Sequence, residues 1–513
     1  MKIMANKEVT QNKILEGVND LNSITSVTLG GRGKNIILEN QFGKIQVIND
    51  GTTIANEVVF EDPLKNAGAT LAKQVASKTN EEAGDGTTTS IVLLHSFLKE
   101  MEKIKMKNSR GQRKEIKQEV DKVIEKLDKM KRDVKDGDIE RIAYISSLDE
   151  EISKNVAELI KKIGKDGVIN IEESKSVGIT TEVVSGVRVD KGYITQLMAT
   201  DNTTLKAEII DTPVLVTRKK LNVVSEILPL MQFLSSQKQN RLVIFCEDIS
   251  DEVLTLLILN KVQGQFLSLV VKTSDLDDIS TVTGAKVISE QNNLEFEADN
   301  LGVAGKVVAT RFHTTVMDGK VDKSIIDDKV SELKKLQENE EIPYEKERLA
   351  KRIARLIGGV SVIKIGGENE VETFEKKLKL EDAVNAVKAA MEDGVVEGGG
   401  VALYKISLDM AQEYGNRDLT DAEKLVNVVI TKPFYQVLEN AELDLYELND
   451  VCIEIQNSGR GFNVITEKFE NFFESGVIDP VKVTKCAVRN AFSMGMQILT
   501  AEASILIKKE KEK

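Results

Sequence analysis

Gly84-Asp85-Gly86-Thr87-Thr88-Thr89 lies between two stretches with strong helical periodicity, and its composition is that of an anion cradle. Glycines let a backbone come close to a phosphate. Threonine hydroxyls and the free N–H groups of a helix start point toward an anion. Asp85 offers a hard oxygen to Mg2+. The same six residues also read as a polar turn with a threonine cap. The company they keep along the chain weighs between the two.

Upstream, Leu64, Ala67, Leu71, Ala72, Val75 and Ala76 follow the helical period, and downstream Ile91, Leu94, Leu98 and Met101 share one face of a second helix. Residues 114–131 predict a third, charged helix with Ile116, Val120, Ile124 and Leu127 on one side. Two short strands are expected before these helices, at 35–39 and 44–48. The middle of the chain changes character. Strand patterns at 168–171, 181–184, 214–217, 242–245 and 268–272 alternate with helical runs such as 223–235 and 251–262, which predicts an α/β unit of its own. A charged helical pair follows at 329–337 and 344–357, interrupted by Pro343. After Gly366-Gly367 long helices return, at 380–393, 400–412, 422–439 and finally 480–507, ahead of a short charged tail at 508–513. A helical block, an α/β insert and a helical return predict nested domains.

The chain has 513 residues, 41% hydrophobic and 30% charged, which suits roughly two to four domains. A net charge of −13 argues against nucleic acid or an anionic membrane as the main partner. Cys246, Cys452 and Cys486 stand far apart in apolar runs, without metal or disulfide spacing. With only His95 and His313, a histidine-rich metal site is excluded. His95, between Leu94 and Leu98, reads as packing. No signal-peptide pattern opens the chain, and no apolar run reaches the about 20 residues of a membrane helix. The expectation is a soluble, cytoplasmic protein.

Several further segments resemble parts of one nucleotide site. Thr28-Leu29-Gly30-Gly31-Arg32-Gly33 is a glycine-rich turn without the Gly-Lys-Ser/Thr ending of a P-loop. Asn49-Asp50-Gly51-Thr52-Thr53 is an Asp-Gly turn between a strand and a helix. Leu380-Glu381-Asp382-Ala383 sets an aspartate at a predicted helix start, where a cap is the ordinary reading. In Gly394–Leu403, the run Gly398-Gly399-Gly400 exposes several N–H groups before a helix. Ile478-Asp479-Pro480 heads the last helix, with Pro480 suited to the first turn.

In this order and over residues 5–507, these segments resemble the group I chaperonins, the bacterial GroEL type. The matching stretches include Val75-Ala76-Ser77-Lys78-Thr79-Asn80 leading into the Gly-Asp-Gly-Thr-Thr-Thr run, Gly394–Leu403, and Asp479-Pro480-Val481-Lys482-Val483-Thr484. The resemblance implies a multidomain α+β and α fold. It comprises a mostly helical equatorial ATPase domain from both chain ends (1–130 and 394–513), a small intermediate hinge domain (131–185 and 367–393), and an α/β apical domain inserted in the middle (186–366). Gly186, Gly366 and Gly394 would fall at the hinges.

The resemblance further implies ATP and Mg2+ as cofactors. Asp85 would hold the metal, and Gly86, Thr87, Thr88 and Thr89 would cradle the phosphates. Thr28, Leu29 and Gly30 would close over the nucleotide, with Gly398, Gly399 and Asp479 on the ribose side and Asn463 facing the adenine. Asp50 would lie near the γ-phosphate, and Asp382 would position or deprotonate the attacking water. An apolar apical groove of Tyr193, Thr195, Leu197, Met198, Leu228, Met231, Leu254, Ile258 and Leu259 would take non-native polypeptides and a GroES-type co-chaperonin. By periodicity alone the same residues read as core. Rings of seven, stacked in pairs, would be the assembly.

The chain departs from the family pattern at several places. Gly31 stands for a proline, Asn49 for a lysine, and Val464-Ile465 for small alanines. Two apical aromatics are Leu197 and Met198, the segment after Lys272 is shorter, and the Gly-Gly-Met tail is replaced by 508–513. Alternatives to the main reading are a group II-like chaperonin with a built-in lid, a ring-forming paralogue with weak ATPase, and an unrelated phosphotransferase.

Overall fold

The computed structural model describes residues 2–39, 45–104, 110–163, 168–174, 176–184, 186–201, 205–292, 294–340, 342–358 and 360–507. The expected tail 508–513 lies outside them. The chain forms two compact units, one of residues 1–158, 173–179 and 365–513, the other of residues 159–172 and 180–364. Both chain ends belong to the first unit.

Helices dominate the first unit. Lys7–Thr25, Pro63–Ala83, Thr87–Ile104, Arg110–Met130, Val401–Tyr414, Asp421–Ile430 and Val481–Leu499 surround one core that includes Val18, Leu21, Ala72, Leu94, Leu403 and Val426. The helices at 63–83 and 87–104 fall where periodicity placed them. At the centre of the core Phe97 meets Phe492 edge to face, with ring centroids 5.4 Å apart. Gly495 makes room for that pair, since a Cβ there would lie 2.3 Å from Phe97 Cδ1.

Three expectations for this unit need correction. The run 422–439 is two helices, Asp421–Ile430 and Lys432–Asn440. Pro433 has no N–H, and its ring crowds the preceding turn, so the helix restarts there. The last helix ends at Leu499, and Ala503–Ile507 is a strand paired antiparallel with Lys2–Asn6. Ala501 and Ile505 fit the helical period by coincidence, while Ile505 and Ile507 are β-branched and favour a strand. The N-terminal strand gave no pattern of its own. Third, the helix expected at 380 begins at Glu370 and runs to Asp393, capped by Asn369, whose side chain accepts the Glu372 N–H. Asp382 is therefore inside a helix and caps nothing.

The second unit holds a seven-stranded mixed sheet. Its order is Gly186–Val189, Thr314–Gly319, Gly302–Ala309, Ala207–Thr217, Arg241–Cys246 and Leu267–Lys272, with Val287–Ile288 also on Ala207–Thr217. Ala207–Thr217, Arg241–Cys246 and Leu267–Lys272 pair in parallel. Val224–Ser236 and Asp251–Val262 make the crossovers that parallel pairing requires. Leu242, Val243, Ile244 and Phe245 are fully buried, as expected for a strand covered on both faces. Cys246 and Cys486 are buried free thiols.

Candidate functional site

A cleft of about 930 Å3 opens within the first unit, and several chain segments build it. The helix Pro63–Ala83 stops at Gly84, whose φ of 76° is left-handed and whose N–H bonds Asn80 O at 2.7 Å. Gly86, at φ 85°, turns the chain into the helix Thr87–Ile104 and donates to Asp85 Oδ1 at 2.5 Å. Thr87, Thr88 and Thr89 line the cleft, and the first amides of that helix, theirs, have no partner inside it.

Two close approaches bring the acids in. Asp50 caps Gly51–Glu57 by accepting the N–H groups of Thr52 and Thr53, at 3.2 and 2.7 Å. A Cβ on Gly51 would lie 2.1 Å from Thr88 Oγ1, so only glycine lets this turn seat against the threonine run. On the other side, a Cβ on Gly84 would lie 2.4 Å from Asn385 Cβ. Its absence lets the helix Glu370–Asp393 approach. Asp382, three residues before Asn385, shares that face and lines the cleft beside Asp85.

The far wall comes from the strand pair Val395–Glu397 and Ile478–Pro480, which sets Asp479 opposite Val396. Gly399 and Gly400 follow with φ of 60° and 77°, and the Gly399 N–H bonds the Asp479 carboxylate. Gly398 stands behind the wall, packed on Asp479, and does not itself line the cleft. The loop at 28–33 closes the remaining side. Asn440 holds it by donating from Nδ2 to Ser26 O and Leu29 O, both at 2.8 Å. Sequence reading missed Asn440, because nothing local marks a contact made across more than four hundred residues.

Thr28, Leu29, Gly30, Asp50, Asp85, Gly86, Thr87, Thr88, Thr89, Asp382, Gly399, Asn463 and Asp479 thus line one cleft. Asn463 is placed there with its amide turned back into its own hairpin, where Oδ1 accepts the Ile465 N–H at 3.0 Å.

The electrostatics are those of an acid cluster awaiting positive charge. Burial, then the charges of Asp85, Asp50 and Glu381, hold the Asp382 carboxyl well above the ordinary carboxylate range. Burial and the neighbouring Asp85 push Asp479 up to about 6, against the pull of the Gly399 N–H. Asp85 is raised by burial and by Asp50, with the Gly86 N–H opposing. Among the described residues, no group of three His, Cys, Asp or Glu side chains forms a metal cage. The Asp85 carboxylate in the cleft fits Mg2+ carried on phosphates, since this ion takes one or two carboxylates and fills its other positions with water and phosphate oxygens. The unpaired helix amides fit the phosphates themselves.

The nine apical positions lie in the second unit, where the structure separates them. Tyr193, Met198 and Met231 are core, and the Tyr193 hydroxyl donates to Leu205 O at 3.0 Å. They offer no exposed groove, because the sheet beneath them needs their bulk. Thr195, Leu254 and Ile258 are half-buried. Leu197, Leu228 and Leu259 are exposed, at 59, 38 and 52%. Phe233 and Val262, at 49 and 70%, extend the exposed apolar set and were not foreseen. For Val262 the signal was the spread of apolar residues around 251–262, which leaves side chains facing water as well as core. Lys261 pins the turn Gln196–Met198 to this helix by bonding Leu197 O and Ala199 O, at 2.7 and 2.5 Å.

The profile of the TCP-1/cpn60 chaperonin family matches residues 21–509. The chain belongs to this family. As a chaperonin it is a chaperone by descent, and its mostly helical multidomain fold is that of the family. Two solved structures are similar to it, both of the chaperonin gp146 from the bacteriophage EL 2 (Pseudomonas aeruginosa), crystallised in presence of ATP-BeFx. One matches with a TM-score of 0.71 and the other with 0.66, each at 19% identity and over 99% of this chain, covering 100% and 99% of theirs. At that identity the likeness concerns the fold. The chain is thus a divergent chaperonin.

Proposed function

We propose that this chaperonin is an ATP-driven folding machine of the group I type. The observation that carries the reading is the convergence of Asp50, Asp85 and Asp382 on the unpaired amides of Thr87–Thr89 in one cleft. Mg2+ bound with the nucleotide would neutralise charge on the phosphates at Asp85. The helix amides and threonine hydroxyls hold the phosphate oxygens. Asp479 accepts from the ribose. Asp382, its carboxyl raised by burial, orients a water and takes its proton. Phosphoryl transfer asks mainly for such positioning and charge neutralisation. The crystallisation of gp146 with an ATP analogue supports nucleotide as the ligand class.

In the three-domain plan, the first unit comprises the equatorial domain and most of the intermediate domain, and the sheet-bearing unit holds the apical domain together with 159–172 and 180–185 of the intermediate domain. The exposed apolar side chains on Val224–Ser236 and Asp251–Val262 take non-native polypeptides and a GroES-type lid, since a promiscuous binder requires apolar surface facing water. Seven-membered rings, paired back to back in the cytoplasm, enclose the client. Two small surfaces of the first unit support self-assembly. The hairpin Ile36–Glu39 and Ile45–Ile48 exposes Ile37 and Ile45 at 74 and 64%, and the pair Lys2–Asn6 and Ala503–Ile507 exposes Met4 at 78%. A two-stranded sheet is marginal alone and gains by adding strands.

The direct test is Asp382→Ala. It should bind nucleotide as the wild type does and lose ten-fold or more of its phosphate release, about 1.4 kcal/mol of barrier or greater. Wild-type turnover in the variant would refute the role.

A further inference from the structure

The hairpin Gly461–Asn463 and Lys468–Glu470 bears on how the cleft would recognise a base. Asn463 Oδ1 accepts two backbone N–H groups, Ile465 at 3.0 Å and Thr466 at 3.4 Å, and Nδ2 donates to Glu470 Oε2 at 3.1 Å. These partners fix the amide. Flipped, it would set an NH2 against two donors and an oxygen against a carboxylate. The Asn463 carbonyl is taken by the Glu467 N–H at 2.8 Å. The Thr466 hydroxyl donates to Glu470 Oε1, and that of Thr28 to Thr25 O, each at 2.8 Å. The side-chain polar groups of Asn463, Thr466 and Thr28 serve the hairpin and the loop.

Hydrocarbon faces the cleft here instead. Val464, Ile465 and Val437 line it. Ile465 can lie where it does because residue 31 is glycine: a Cβ there would stand 2.9 Å from Ile465 Cγ1 and Cδ1, and 3.6 Å from Val464 Cγ2. Gly30 presses on Val437 in the same way, at 3.0 Å. An Arg32–Glu467 ion pair ties loop to hairpin on the same side. Two departures from the family pattern, Gly31 and Val464-Ile465, are thus one packing solution.

Adenine presents an amine donor at C6 and an acceptor at N1, whereas guanine presents a carbonyl acceptor at C6, an N–H at N1 and an amine at C2, so telling them apart takes hydrogen-bonding groups aimed at that edge. With both lone pairs of Oδ1 occupied, the Asn463 side chain has no acceptor to offer an adenine amine. Its one remaining N–H can donate to a ring nitrogen that both purines possess. A hydroxyl either donates or accepts and so selects neither. We infer that this site takes purine nucleoside triphosphates with weak discrimination between adenine and guanine, the base being held by apolar contact with Ile465 and Val464. This rests on the nucleotide reading of the cleft.

The experiment is titration calorimetry of the full chain with Mg-ATP and with Mg-GTP, repeated for Ile465→Ala, a half-exposed position whose truncation leaves the core intact. Apolar pockets separate near-isosteric ligands by about 100-fold, whereas a hydrogen-bonded group commands about 10,000-fold. The two dissociation constants should lie within about 100-fold of each other, and Ile465→Ala should weaken both by a similar factor of about ten. A wider gap in favour of ATP, or a variant that weakens ATP alone, overturns the inference and leaves the nucleotide reading standing. Binding of neither triphosphate overturns both.

Discussion

Asp479 shows what a shared cleft does to a single carboxyl. Its value of about 6 in the nucleotide-free protein lies above the 3.8 of an unperturbed aspartate. Between those values the folded chain holds more protons than the unfolded chain, so stability falls as pH rises through this window. Above it the ionised group remains a cost, up to about 3 kcal/mol by the size of the shift. Asp479→Asn removes that cost. Thermal unfolding of the nucleotide-free variant at pH 7 should therefore occur at a higher temperature than in the wild type, and the difference should vanish below about pH 4. Equal unfolding temperatures at pH 7 would contradict the electrostatic description. The same substitution should weaken nucleotide binding, because in the proposed mode Asp479 accepts from the ribose hydroxyl and a neutral amide oxygen accepts more weakly than a carboxylate.

At the scale of elements, glycine decides how closely helices approach. Gly84→Ala places a Cβ at a left-handed φ and against Asn385. Strain of about 1 kcal/mol and overpacking of about 1–3 kcal/mol should add, and the helix carrying Asp382 should be displaced. Denaturant unfolding should show the loss, and phosphate release should fall more than nucleotide affinity does. Unchanged stability would mean that the helix does not press on this turn. The turns that build the cleft were legible in sequence because each is a local device, a glycine turn feeding a helix start. The placement of Asp382 was not, since the start of its helix lies at Asn369, upstream of any clear apolar period. The end of the last helix was misread because Ala501 and Ile505 satisfy a helical spacing that only the strand Lys2–Asn6, from the other chain end, overrules. The set expected in an apical groove was half legible: the resemblance pointed to Leu228 and Leu259, which are exposed, but helical spacing read the whole set as core and could not tell an outward leucine from an inward Met231.

For the whole molecule, no described helix is long and apolar enough to cross a membrane. Exposed apolar side chains instead collect on the hairpin near Ile37 and Ile45, and on the helices of the sheet-bearing unit. If the hairpin adds to another copy, replacing both isoleucines by lysine should leave the circular dichroism spectrum unchanged. Light scattering should then give a monomer in place of a particle of about seven or fourteen subunits. Wild-type particles in eight-fold multiples would favour the group II-like arrangement.

The central claim, that nucleotide hydrolysis in this cleft drives protein folding, is tested most directly by refolding. A chemically denatured client enzyme is diluted into the wild-type chaperonin with and without Mg-ATP, and into Asp382→Ala with Mg-ATP. Native activity should return in quantity only with the wild type and Mg-ATP, in step with phosphate release. Equal recovery without nucleotide, or with Asp382→Ala, would contradict it.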